Sequence, residues 1–187
     1  MNITKTLYVT RRNAWRAWLK KNYKTEKEIW LIYPKKATGE PRIEYNTAVE
    51  EALCFGWIDS LVKKLDEEHT VQRFSPRKLK ATYSQANIER LRGLVAKKKV
   101  VKEVAETLGD VLNQEFVIPP DILKAIQANT EAWKNFRKFS DSYKRIRIAF
   151  IDGARKRPEE FKKRLRYFIE MTAKNNIFGF GGIEKHF

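Results

Sequence analysis

The chain has 187 residues, of which 42% are hydrophobic and 12% aromatic, enough to form a buried core without disulfides or a structural metal. Its formal net charge is +16, and its single cysteine, Cys54, excludes an intrachain disulfide and is typical of a reducing compartment. The sequence shows no apolar run of signal-peptide length and no uncharged apolar segment long enough to span a membrane, so we expect a cytoplasmic protein.

The N-terminal part of the chain predicts a helix followed by a strand. Apolar residues recur at helical spacing over residues 11–22, and Thr10 can cap the first turn. Residues 28–33 are rich in β-forming side chains and end at Pro34, which predicts a strand.

A capping box and a glycine mark the bounds of a second helix. Thr47 supplies a hydroxyl at the N-cap position and Glu50 a carboxylate three residues later, which predicts a helix over residues 48–55. Gly56 follows as the helix stop, because glycine adopts the positive φ that this position requires.

The segment after Gly56 predicts a β-hairpin. Residues 57–62 form one strand, residues 63–68 a charged turn, and residues 70–74 the second strand, which Pro76 terminates. Helices combined with a small, largely antiparallel sheet indicate an α+β fold for this part of the chain.

From Ser84 onward the apolar period is helical. The predicted helices are one that starts after Ser84 and further ones over residues 100–112, 121–128, 130–139, 141–156 and 158–174. We therefore expect two domains: an α+β domain over residues 1–116, and an all-helical module over residues 117–187 that ends in a tail without a clear period.

The predicted hairpin brings an aromatic ring, a carboxylate and several cations onto neighbouring strands. If these side chains converge, they form a pocket that binds a small anionic ligand or an acidic partner, with an indole face for a ring. The candidate binding residues are Trp57, Asp59, Ser60, Arg73, Ser75, Arg77 and Lys78. The alternative is structural, with Asp59 forming an ion pair with Arg73 or Arg77 that only fixes the sheet.

An enzymatic alternative uses the same residues, with Asp59 as the catalytic group acting together with Ser60 or Arg73. No serine-hydrolase elbow, phosphate-binding loop or dinucleotide fingerprint is present, so we expect no cofactor. His69 and His186 lack a second ligand at metal-binding spacing, so we expect no metal. Cys54 follows apolar residues near a helix end and is interpreted as a core residue.

The positive charge indicates nonspecific affinity for nucleic acid. Clusters such as residues 97–99 and 162–166 can contact phosphates, although lysines of this kind also occur on ordinary solvated helix faces. A nucleic-acid-associated basic protein is therefore a third hypothesis.

The chain resembles the YdeI/OmpD-associated family, also described as bacteriocin-protection proteins. The resemblance is carried by the strings Gly-Trp-Ile-Asp-Ser over residues 56–60 and Phe-Ser-Pro-Arg-Lys over residues 74–78, and by the helical segment 139–174. It implies a bacterial cytosolic protein with a helical C-terminal module and a role in stress or bacteriocin protection. It implies no established reaction.

Overall fold

The computed structural model describes residues 2–78 and 82–179. The chain divides into two units: one contains Met1–Thr82 and Leu91–Gly109, and the other contains Tyr83–Arg90 and Asp110–Phe187. In chain order the elements are β1 (Thr6–Leu7), α1 (Arg12–Asn22), β2 (Ile29–Pro34), a 3₁₀ turn (Lys36–Thr38), α2 (Tyr45–Cys54), β3 (Trp57–Lys64), β4 (His69–Pro76), α3 (Gln85–Ala96), α4 (Lys102–Ala105), α5 (Gly109–Asn113), α6 (Pro120–Gln127), α7 (Thr130–Phe136), α8 (Asp141–Asp152) and α9 (Pro158–Ala173).

The first unit is built on a four-stranded sheet with the strand order β1-β2-β4-β3. The two-residue strand β1 pairs in parallel with β2, and the other neighbouring strands are antiparallel. The α+β class, with a largely antiparallel sheet and helices in the C-terminal part, is therefore confirmed. The hairpin predicted from residues 57–74 is β3 and β4.

Helix α1 covers one face of this sheet with aromatic side chains. The Trp15 ring lies 5.5 Å from that of Phe74, and the Trp18 ring lies 5.8 Å from that of Trp57. The indole N–H of Trp15 donates to the carbonyl oxygen of Ala48 at 3.0 Å, so the same side chain also holds α2. A buried indole needs such an acceptor, and here the acceptor belongs to the neighbouring helix.

Helix α2 begins earlier than its capping box predicts. It starts at Tyr45, so Thr47 lies inside the first turn, and the N-cap position is occupied by Glu44, whose side chain makes no capping hydrogen bond. The carboxylate of Glu50 lies 3.1 Å from a guanidinium nitrogen of Arg12 on α1. Ion pairing with the neighbouring helix thus replaces the predicted local role of Glu50.

The adjacent residue, Glu51, forms the most buried ion pair between these helices. Its side chain is 1% exposed, and it accepts hydrogen bonds from Arg12 at 2.5 Å and from Arg16 at 2.6 Å. Both arginines lie on α1, so the carboxylate connects α1 to α2.

The helix predicted over residues 100–112 is two short helices, α4 and α5, rather than one. The N–H of Val101, which precedes α4, donates to the carbonyl oxygen of Cys54 at 3.0 Å. This bond attaches the start of the segment to the end of α2, and buried Leu108 lies in the break between the two helices. Tertiary contacts therefore override the helical period.

The second unit packs its helices around an apolar core. The buried residues of this core include Ile122, Ile126, Phe136, Ile148, Ile151 and Phe168. Asn129 caps α7 by accepting from the N–H of Ala132, and Ser140 caps α8 by accepting from the N–H of Tyr143. Among the described residues, no helix combines the length and the apolar character that crossing a membrane requires.

Gly56 provides a test of the turn that joins α2 to β3. Its φ is +71°, and an added Cβ would lie 3.2 Å from Cγ2 of Val104. We expect Gly56→Ala to lower the free energy of unfolding by about 1–2 kcal/mol, because a left-handed backbone strains an L-residue. Gly93 lies inside α3, and apart from the backbone of its own helix no atom of residues 2–78 and 82–179 lies within 4 Å of an added Cβ. Gly93→Ala should therefore raise that free energy by about 0.5–1 kcal/mol. Urea denaturation measures both, and shifts of the same sign would contradict the prediction.

The Glu51 ion pair provides a second test. We expect Glu51→Gln to lower the free energy of unfolding by about 2–3 kcal/mol, because two arginines lose their buried carboxylate. Both arginines remain partly hydrated, which limits the loss. Glu159→Gln is the matched control, since Glu159 is 89% exposed and pairs with Lys162, which is also exposed. The control should leave the denaturation midpoint unchanged. Equal midpoints for both variants would show that the buried pair contributes nothing specific.

Candidate functional site

The structure places Trp57 in the core of the first unit. Its side chain is 1% exposed, and its indole N–H donates to the carbonyl oxygen of Tyr23 at 3.1 Å. Its ring packs edge to face against Trp18. The indole therefore stabilises the packing of α1 and does not present a flat face to a ligand.

Asp59 lies on the same face of the sheet as Trp57. It is paired in register with Phe74, the residue that Trp15 contacts. Its carboxylate accepts hydrogen bonds from the hydroxyl of Tyr45 at 2.6 Å and from the side-chain amide of Gln72 at 3.4 Å. Both of these donors are neutral groups, unlike the arginines considered from the sequence.

Arg73 lies on the opposite face, because successive residues of a strand alternate in direction and Arg73 adjoins Phe74. Its Nη1 atom lies 3.3 Å from the hydroxyl oxygen of Ser60 and 3.4 Å from that of Ser75. Its Nε atom donates to the carboxylate of Glu28 at 2.7 Å. Three of the candidate residues therefore meet around one guanidinium, whose charge Glu28 already compensates.

Glu28 is held in its ionised form by this cluster. The hydroxyl of Thr4 donates to it at 2.6 Å, and Arg73 donates to its other oxygen. The Thr4 hydrogen bond and then the Arg73 hydrogen bond lower the pKa of the Glu28 carboxyl. A persistent carboxylate next to Arg73 weakens the attraction of this cluster for an anion.

The last two candidate residues follow the end of β4. Arg77 donates from its side chain to the carbonyl oxygen of Thr82 at 3.2 Å and from its backbone N–H to that of Gly56 at 2.9 Å. Lys78 is exposed. The seven predicted residues are consequently divided among two sheet faces and a strand end, and they do not surround one hollow.

Cys54 lies at the end of α2 and is buried. Burial raises the pKa of its thiol to about 11, because the low-dielectric surroundings disfavour the thiolate. This environment fits the core role predicted for Cys54. Within residues 2–78 and 82–179, no group of three or more histidine, cysteine or acidic side chains could hold a metal ion; His186 lies outside these ranges.

A cavity of about 540 Å³ lies in the second unit. Its wall comes from the start of α3, the α7–α8 connection, α8 and residues 177–179. The lining is mainly apolar, and it includes Lys138, Phe139, Tyr143, Arg147, Ala149 and Phe178. A concave apolar space with a few polar groups is the usual form of a small-molecule site.

Arg147 is the buried charged residue of this lining, with 6% of its surface exposed. Its guanidinium carbon lies 4.1 Å from the ring centroid of Phe178 and 5.2 Å from that of Phe150. Aromatic ring faces attract a cation, so these two rings hold the guanidinium in place.

Residues 177–179 are held against α8 and α9. The backbone N–H of Phe178 donates to the hydroxyl of Tyr143 at 3.3 Å, and the Phe178 ring lies 4.9 Å from that of Tyr167. This part of the predicted tail is therefore packed, whereas residues 180–187 lie outside the described residues.

This cavity is not apparent from the sequence, because its wall combines segments that are far apart in the chain. One signal was present: Tyr143, Ile146, Arg147 and Phe150 share a helical face, and an arginine on such an apolar face is unusual. Because the basic clusters were interpreted as solvated helix faces, the position of Arg147 on an apolar face was not recognised.

Two family models match the chain. Residues 7–107 match the one described as Domain of unknown function (DUF8412), and residues 115–175 match the one described as Bacteriocin-protection, YdeI or OmpD-Associated. No curated protein and no solved structure matches it. The first match spans more than half of the chain, and the second confirms the resemblance stated from the sequence. The chain therefore belongs to the DUF8412 family and carries C-terminal helices of the YdeI/OmpD-associated, bacteriocin-protection type.

Proposed function

We propose that the protein is a small-molecule-binding protein of the bacterial cytosol that acts in bacteriocin or stress protection by holding a ligand in the cavity of its second unit. The observation that carries this proposal is the cavity of about 540 Å³ with its mainly apolar lining. Small-molecule sites have volumes of about 300–1,000 Å³ and this kind of lining.

The location of the cavity supports the link to the family. Most of its wall, from Lys138 to Phe150, falls within residues 115–175, the segment matched by the bacteriocin-protection model. A protective role by sequestration requires only that a ligand is bound, and the rings and aliphatic side chains of the wall are suited to that. The catalytic alternative built on Asp59 draws less support, because Asp59 hydrogen bonds to Tyr45 and Gln72 rather than to Ser60 or Arg73.

The apolar lining determines roughly how tightly the cavity can bind an apolar ligand. A ligand that buries about 250 Å² of apolar surface gains about 6 kcal/mol at about 25 cal/mol per Å². The loss of translational and rotational freedom on binding offsets part of this gain. We therefore expect micromolar to millimolar affinity for a simple apolar probe.

The uncharged fluorescent probe N-phenyl-1-naphthylamine tests the proposal. We expect its emission to rise on binding to the wild-type protein. Ala149→Trp places a large side chain in the cavity wall and should weaken this binding by at least about tenfold, equivalent to about 1.4 kcal/mol. Fluorescence titration at constant protein concentration gives both dissociation constants.

Ala128→Trp is the matched control, because Ala128 is exposed, belongs to the same unit and lies outside the cavity lining. It should bind the probe like the wild type. Circular dichroism and thermal melting verify that both variants are folded. If Ala149→Trp is folded and binds the probe with wild-type affinity, the probe occupies another place and the proposed function is wrong.

A further inference from the structure

We propose that the ligand of this cavity is an amphipathic acid, in which an apolar or aromatic body carries one anionic group that Arg147 and Lys138 bind. This inference rests on the proposed function, since it names the class of molecule that the same cavity takes. It moves the anion-binding role from the hairpin residues to the second unit.

The charges of the lining favour an anion. Two lining residues are cationic, Lys138 and Arg147, and none of the described lining residues is acidic. Charges interact more strongly in an apolar cavity than in water, because the effective dielectric constant is lower. A carboxylate or sulfonate is therefore attracted to this space, and a cationic molecule is repelled.

Three acidic side chains on or next to α8 pair with cations that do not line the cavity. Glu89 accepts two hydrogen bonds from Arg145, at 2.7 and 2.8 Å. Asp141 lies 2.8 Å from Lys144, and Asp152 pairs with Arg155. These three carboxylates therefore belong to ion pairs outside the cavity lining.

The position of Arg147 is suited to a planar anion. Its guanidinium lies over the rings of Phe178 and Phe150, and the N–H groups of a guanidinium form a planar fork that matches a carboxylate or sulfonate. A side chain fixed by packing loses less conformational entropy when a carboxylate or sulfonate binds. Ser140 and Tyr143, at the N-terminal end of α8, also line the cavity, so the positive end of this helix dipole adds to the potential.

The apolar lining requires that the rest of the ligand is apolar. Phe139, Ala149 and Phe178 offer no hydrogen bonds from their side chains to a hydrated molecule. Inorganic phosphate would lose its hydration against this wall without compensation, so we expect phosphate alone to compete weakly.

A matched pair of probes tests the inference. 1-Anilinonaphthalene-8-sulfonate and N-phenyl-1-naphthylamine share one ring system and differ by a sulfonate. We expect the sulfonate to bind wild-type protein about tenfold more tightly, because a charge-assisted contact adds more than about 1.4 kcal/mol. Its affinity should fall as sodium chloride is raised, whereas that of the uncharged probe should not.

Three variants test which cation causes the preference for the sulfonate probe. Arg147→Gln should reduce the preference for the sulfonate from about tenfold to the about twofold to threefold that Lys138 supplies. Lys138→Gln, at an exposed position of the rim, should reduce the preference about twofold to threefold. Lys124→Gln removes an exposed lysine of the same unit outside the lining and should have no effect. If Arg147→Gln is unfolded, Lys138→Gln and the salt dependence provide the test.

The outcomes separate the two proposals. Equal affinity for both probes, or a preference for the sulfonate that is undiminished in the Arg147 and Lys138 variants, overturns the amphipathic acid and leaves the cavity as a binding site. Binding of neither probe, or binding that Ala149→Trp does not weaken, overturns the proposed function itself. A preference that falls in the Arg147 and Lys138 variants and is unchanged in Lys124→Gln supports both proposals.

Discussion

The buried carboxylate of Glu51 connects the first two helices of the first unit, α1 and α2. It is buried on α2 and accepts hydrogen bonds from two arginines of α1, Arg12 and Arg16. Arg16 also donates to the carbonyl oxygen of Lys99 at 2.8 Å, so one side chain joins α1, α2 and the segment before α4. Because a carboxylate at this depth requires cations, the arginines fix α1 where Trp15 covers the sheet.

The alternation of side chains along a strand then decides which polar groups can meet. The hairpin itself was predicted correctly from its β-forming runs and its turn, but its register was not available from the sequence. That register pairs Asp59 with Phe74 on the helix-covered face, and it leaves Arg73 on the other face. An irregularity between Asp59 and Val62 follows, and Ser60 meets Arg73 there. Adjacent residues of one motif thus have different surroundings.

The fold class was predictable because apolar periodicity and turn residues act locally. Gly56 ends α2 with a positive φ, as its position after an apolar helix indicates. The start of α2 was not predictable, because Glu50 binds Arg12 from a distant helix. The cavity was equally hidden, since its wall depends on Phe178 returning to Arg147 from the C-terminal tail. The string at residues 56–60 carried the family resemblance, yet it falls in the DUF8412 match.

Helix α3 is divided between the two units: residues 85–90 belong to the one with the C-terminal helices, and residues 91–96 to the one with the sheet. The bacteriocin-protection match begins only at residue 115. A gene fusion that transferred just the matched helices to another protein would leave Arg145 without Glu89 and would remove the α3 part of the cavity wall. Such a fusion protein would keep the cavity only if another helical segment replaced this part of the wall.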